Sequence, residues 1–258
     1  MGTDKLERPP IVEALVEIRW ELKEKTQGGE CDPYYKFLLG KFRDAINGDY
    51  PFHEALPTSH IPDDISGYTV KHRFRVAEDE WPLVQIGPGI ITVNETKKYE
   101  TFDHFRPRVL KVVHALYESY PDVNDLNISR LQLRYIDAHD FDYSKENVCD
   151  FISEKMHIES TVPAVLLLDK KIQPNPVGYG LRTSFRCDEP PGVAEFLLNT
   201  GHRLKKRAII WNQILTSSGP DVPDMPDGFD DWIDAARGVI RAWFEGIISG
   251  ELREEYLK

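Results

Sequence analysis

Two stretches of this sequence, Pro10 to Tyr120 and Asn127 to Gly250, carry the same order of hydropathy patterns: strand, helix, several strands, helix. Strands joined by short connections pair antiparallel, and a sheet covered by helices on one side alternates apolar and polar residues along each strand. The repeated order therefore predicts an α+β fold, a duplicated strand-helix-strands-helix unit whose antiparallel sheet has helices packed on one face. The first repeat is expected over residues 1–125 and the second over 126–258, packed together as one globular unit.

The first strand is the clearest element. From Val12 to Leu22 every even position is apolar and most odd positions are Glu or Arg, the period of a half-buried strand. Pro9 and Pro10 set its start, since proline suits the beginning of a strand and not its middle. The Gln27-Gly28-Gly29 stretch breaks the chain before Asp32, a predicted helix cap, and Pro33. Tyr34, Phe37, Leu38, Phe42 and Ala45 then follow at helical spacing. Asn47 to Gly67, rich in Pro, Asp and His, reads as a long surface loop. Tyr68 to Val76 alternates as a strand, Gly87-Pro88-Gly89 is the turn of a hairpin, and Phe102 to Tyr120 carries a helical stripe.

In the second stretch, Ile128 to Asp137 mirrors the first strand, and a helix follows near Ser144 to His157. Apolar Val162 to Leu168 comes next, then strands at Tyr179 to Cys187, Val193 to Leu198 and Arg207 to Leu215. The last helix, Phe229 to Ile248, carries a wide apolar stripe suited to the core or to a dimer seam, with Asp227 or Asp230 as its expected cap. The order of elements is analogous to that of TATA-binding-protein-like folds, an analogy of topology that carries no function.

Composition narrows the function classes. A formal charge of -11 opposes non-specific coating of duplex DNA, which draws its affinity from excess Lys and Arg. Three dispersed cysteines, Cys31, Cys149 and Cys187, indicate neither a disulfide framework nor a paired-cysteine zinc site, and fit a reducing cytoplasm. No stretch approaches the apolar length of a membrane span, and Leu6 stands where a Met1-Gly2 myristoylation motif requires Ser or Thr. The sequence contains no cofactor fingerprint, P-loop, nucleophile elbow or His-Glu-x-x-His motif.

Two constellations remain as candidate sites. Lys71, Arg73 and Arg75, Arg130 and Arg134, and Arg182 and Arg186 lie opposite the apolar residues of their strands. Brought together they form a cationic sheet face for an anionic ligand or single-stranded nucleic acid. Pairing with carboxylates such as Glu13, Glu17 and Glu21 across strands is the plainer expectation for them. Asp137, His139 and Asp140 form a candidate metal or acid-base set at a strand end, where Asp more commonly serves a turn. The aspartates from Asp221 to Asp231 lack calcium-loop spacing and read as loop and cap residues.

Pro9-Pro10-Ile11-Val12-Glu13-Ala14-Leu15-Val16-Glu17-Ile18, Val84 to Gly89, Leu133 to Ile136 and the Phe244 to Leu252 end resemble signatures of a sporadically distributed family of uncharacterised prokaryotic proteins of similar length. The resemblance spans most of the chain and implies a prokaryotic, cytosolic origin. It brings no activity or site residue with it. The sequence thus leads to a non-enzymatic binding or interaction protein that pairs with itself or with a protein partner. Anion binding on the basic sheet face and metal-dependent hydrolysis are the alternatives.

Overall fold

The computed structural model describes residues 6–24, 29–96, 99–159, 161–169, 171–173 and 175–258. Met1-Gly2 and the Gln27-Gly28 part of the first break lie outside them. Strand β1, Ile11–Trp20, buries Ala14, Val16, Ile18 and Trp20 on one side, as its alternation requires. Each fully buried large apolar side chain contributes about 1.5–3 kcal/mol. Two short strands, β2 (Lys23–Glu24) and β3 (Glu30–Cys31), pair with each other, and helix α1 follows at Tyr35–Ile46. Asp32 stands ahead of that helix and is not its cap. Its carboxylate accepts from Trp20 Nε1 at 2.8 Å and from the Tyr34 amide at 3.0 Å, tying the turn to β1.

Strands β4 (Phe52–Ala55), β5 (His72–Arg75), β6 (Leu83–Gly87) and β7 (Ile90–Glu95) precede helix α2, Phe102–Ser119. Gly89 turns the β6-β7 hairpin at φ +74°, where a Cβ would meet the Leu22 and Tyr68 side chains. The second half comprises β8 (Ile128–Asp140), α3 (Val148–Met156), β9 (Gly180–Asp188), β10 (Pro191–Arg203), β11 (Lys206–Ser218), α4 (Phe229–Ile247) and α5 (Glu251–Tyr256). α3 is capped by Asn147, whose side chain accepts from the Cys149 amide at 2.8 Å. α4 starts from Gly228 with no side-chain cap, and neither Asp227 nor Asp230 serves as one.

All the large strands belong to one nine-stranded antiparallel sheet, in the order β4-β5-β6-β7-β1-β8-β11-β10-β9. β1 and β8, which open the two halves of the chain, lie side by side in the middle, with Val16 opposite Leu133. α1, α2 and α4 cover one face and bury the larger cluster against it, from Phe42 and Phe105 to Trp232. A smaller cluster joins α3, α5 and the end of α4 to β10 and β11 around Trp211. Among the described residues no helix is long and apolar enough to cross a membrane.

The region read as a loop, Asn47 to Gly67, contains β4 and two 3-10 turns at Pro57–His60 and Asp63–Ile65. Phe52–Ala55 is too short to show a period, and its pairing comes from β5. Val162 to Leu168, apolar in sequence, holds an exposed 3-10 turn at Ala164–Leu167, with Val165 and Leu166 facing solvent.

Candidate functional site

The uncovered face of the sheet carries most of the basic residues singled out in the sequence, and it gives each of them a hydrogen-bond or ion-pair partner. Arg73 donates to Glu54 at 3.3 Å and to Gln85 at 3.2 Å. Arg75 reaches Glu54 at 3.5 Å and the Glu80 carbonyl at 3.1 Å. Arg130 donates to Gln132 at 2.6 Å and Arg134 to Asn212 at 2.6 Å. Arg182 pairs with Glu195, and Arg186 pairs with Asp221 at 2.7 Å. Lys71 does not join them. It is 2% exposed beneath the loop that follows β4, where its ammonium donates to the Ile61 carbonyl and to Asp63. The cationic residues therefore sit in a polar lattice that continues through Gln85, Thr92, Asn94 and Glu13 across the centre. The partners differ from the expected Glu13, Glu17 and Glu21 because register sets Glu17 opposite Thr92 and Gln132, both uncharged.

The structure separates Asp137, His139 and Asp140. Asp140 pairs with Arg203 at 3.0 Å and with Lys206 at 3.7 Å. The His139 ring stacks on Phe151 with its Nδ1 3.0 Å from the Tyr256 hydroxyl, and burial lowers its pKa. Among the described residues no group of three or more His, Cys, Asp or Glu side chains is placed to hold a metal. The three cysteines are free.

Asp137 faces a different environment. On the helix side of the sheet, β8 presents Tyr135 and Asp137, and β11 sets Gln213 opposite Tyr135 and Trp211 opposite Asp137. α4 passes over them with Arg237, Ile240 and Phe244. The segment before β1, the Tyr99 to Thr101 loop, and Phe102 and Asp103 at the start of α2 line the sides. This half-open cavity measures about 670 Å³, within the range that takes a small organic ligand. The segment before β1 is held by the Arg8 amide on the Tyr256 carbonyl and by the Ala138 amide on the Pro10 carbonyl, at 3.0 and 2.9 Å.

Several polar groups in and beside this floor lack partners among the described residues. Gln213 is fully buried and, among the described residues, neither its amide oxygen nor its amide nitrogen is hydrogen-bonded; Oδ2 of Asp137 and Nε of Arg237 in the lining, and Nε1 of Trp211 beside it on β11, are likewise unpartnered. Buried polar groups are nearly always hydrogen-bonded, and each one left unmade costs about 1–3 kcal/mol. Such a concentration marks a place where the fold gives up stability. Desolvation pushes the pKa of Asp137 up to about 7, against the opposing pull of the Arg237 charge. Arg237 lies 4.9 Å from the Tyr135 ring centre and 5.8 Å from that of Phe102, flanked by aromatic surface. The Tyr99 and Tyr135 hydroxyls meet at 2.9 Å, and burial raises both phenol pKa values.

Of these residues, only Asp137 stood out in sequence as a candidate. The signal for the others was a polar residue in an apolar phase. Ile209, Trp211, Gln213 and Leu215 alternate on one face of β11, and Gln213 interrupts that face. Ile233, Arg237, Ile240 and Phe244 recur at helical spacing, with Arg237 inside the stripe. No family model matches the chain, and no curated protein is significantly similar to it.

Proposed function

We propose that this chain is a binding protein for a small polar organic molecule, held in the cavity between the sheet and α4. The observation that carries the reading is Gln213, a fully buried amide in the cavity floor with both of its polar atoms unpartnered among the described residues. A ligand that completes its hydrogen bonds accounts for such a side chain, since an apolar residue of similar size would serve packing better. Asp137 and Arg237 add one acidic and one basic group to the same cavity.

Two coarser readings accompany this proposal. The placement of β1 beside β8, with the last strand of each half next to its first and the others running outward in reverse order, supports an internal duplication with a topology analogous to TATA-binding-protein-like folds. Free cysteines support a cytosolic setting, and self-association remains part of the proposal. On the open sheet face, the partnered arginines favour a structural role over anion binding.

The test is native mass spectrometry of the purified protein beside Gln213→Leu. A small molecule retained by the wild type and lost from the variant, with both chains equally folded by circular dichroism, is the expected result. A metabolite-extract thermal-shift screen covers a ligand lost in purification. Failure of both, with the variant indistinguishable from wild type, overturns the reading.

A further inference from the structure

The chemistry of the cavity limits the charge of what it takes. Its lining includes Glu7, Glu100, Asp103 and Glu245 besides Asp137, against Arg237 and Arg241. Arg241 and Arg253 both approach Glu245, and Glu100 lies 3.3 Å from His104. Glu7 and Asp103 have no ion-pair partner among the described residues. A net anion would approach against this excess of carboxylates. A net cation would have to settle beside Arg237, already packed against Tyr135 and Phe102.

Asp137 and Arg237 nevertheless bring opposite charges to one cavity without forming an ion pair among the described residues. They are close enough for the charge of Arg237 to favour ionisation of Asp137. Two such groups, each with an unpartnered atom, are complementary to a molecule bearing one charge of each sign. Gln213 offers a donor to an anionic group and an acceptor to a cationic one. Tyr99, Phe102 and Phe244 supply apolar wall for the remainder of the molecule.

We propose that the cavity binds a zwitterion carrying an ammonium and a carboxylate, a free amino acid or a short peptide, with the ammonium at Asp137, the carboxylate at Arg237 and Gln213 between them. This rests on the cavity being a ligand site. It goes beyond that reading by fixing the ligand's two charged groups. Binding places an ammonium against Asp137 and holds that carboxyl ionised, replacing the desolvation cost with a charge-assisted hydrogen bond.

The experiment uses the full chain and titrates the common L-amino acids and a set of dipeptides by thermal shift and calorimetry. Each is compared with its C-terminal amide and its N-acetyl derivative. Free zwitterions are expected to bind, and either capped form to lose at least about tenfold in affinity, because capping leaves a buried charge unpaired. Preference for amino acids over dipeptides, or the reverse, identifies the source. Arg237→Gln is expected to remove discrimination against the amide, and Asp137→Asn discrimination against the acetyl form. Arg237→Lys, which keeps the charge, is expected to retain the former, guarding against simple misfolding. Binding of capped and free forms with equal affinity overturns the inference, as does silence of every zwitterion. If another molecule is then found bound and lost in Gln213→Leu, the zwitterion class falls while the ligand site stands. If nothing binds, both fall.

Discussion

Asp137 on β8 lies directly opposite Trp211 on β11, and among the described residues neither Oδ2 of the one nor Nε1 of the other meets a hydrogen-bond partner. Asp137 gives the cavity floor, and Trp211 the packed sheet beside it, a polar character that their apolar neighbours lack.

The ionisation of Asp137 should be visible in stability. Its folded pKa of about 7 lies above the ordinary 3.8, so the folded chain holds the proton more tightly than the unfolded chain. Stability is therefore expected to be greatest below pH 4, as far as this group is concerned, and to fall as pH rises through about 7, by roughly 4 kcal/mol at most. Subtracting Asp137→Asn from wild type in urea melts across this window should isolate the slope. A flat difference would refute it.

Gln213→Leu should stabilise the ligand-free protein by about 1–3 kcal/mol, because it removes an unsatisfied buried amide and keeps comparable bulk. Thermal melting measures this directly. A lower melting temperature would mean that the amide is satisfied in solution.

Tyr99 ties the loop before α2 to the floor through the hydroxyl of Tyr135, at 2.9 Å. Tyr99→Phe should cost about 1 kcal/mol. Faster hydrogen exchange is expected in the described part of the loop, Tyr99 to Thr101, and not in β8. Exchange unchanged throughout would separate the loop from this contact.

Glu95 is 1% exposed on β7, and both of its oxygens lie 2.6 Å from a guanidinium nitrogen of Arg108 on α2. Arg108 is partly exposed and Glu95 is not, so Arg108→Ala leaves a buried carboxylate unpaired and is expected to cost about 1–3 kcal/mol. Combining it with Glu95→Gln should recover part of that loss, and a double-mutant cycle in urea gives the coupling. Additive effects would show that the two do not interact.

Elements with a sustained period were legible in the sequence: β1, the β6-β7 hairpin, α2 and α4 each repeat an apolar phase over several residues. β4 was not, since four residues flanked by prolines on either side show no period and owe their conformation to β5. Lys71 was placed with its neighbours by alternation alone. Alternation gives a side of the strand, and only the packing of a distant loop decides whether that side is wet. The cavity residues follow the same logic in reverse. Gln213 and Arg237 sit in apolar phases, where a polar residue is the anomaly, but their convergence depends on the crossing of α4 over β8 and β11.

The central pairing of β1 with β8 has a kinetic consequence. Ile11 meets Asp137 only after more than a hundred intervening residues have been gathered in, whereas the β6-β7 and β10-β11 hairpins close locally. Long-range pairing must overcome loop-closure entropy before its contacts contribute, so the central seam should form late. Until then each half exposes the unpaired backbone of β1 or β8, a long strand with one packed side and a ready template for pairing with another chain. Joining the halves shields both strands within the same molecule.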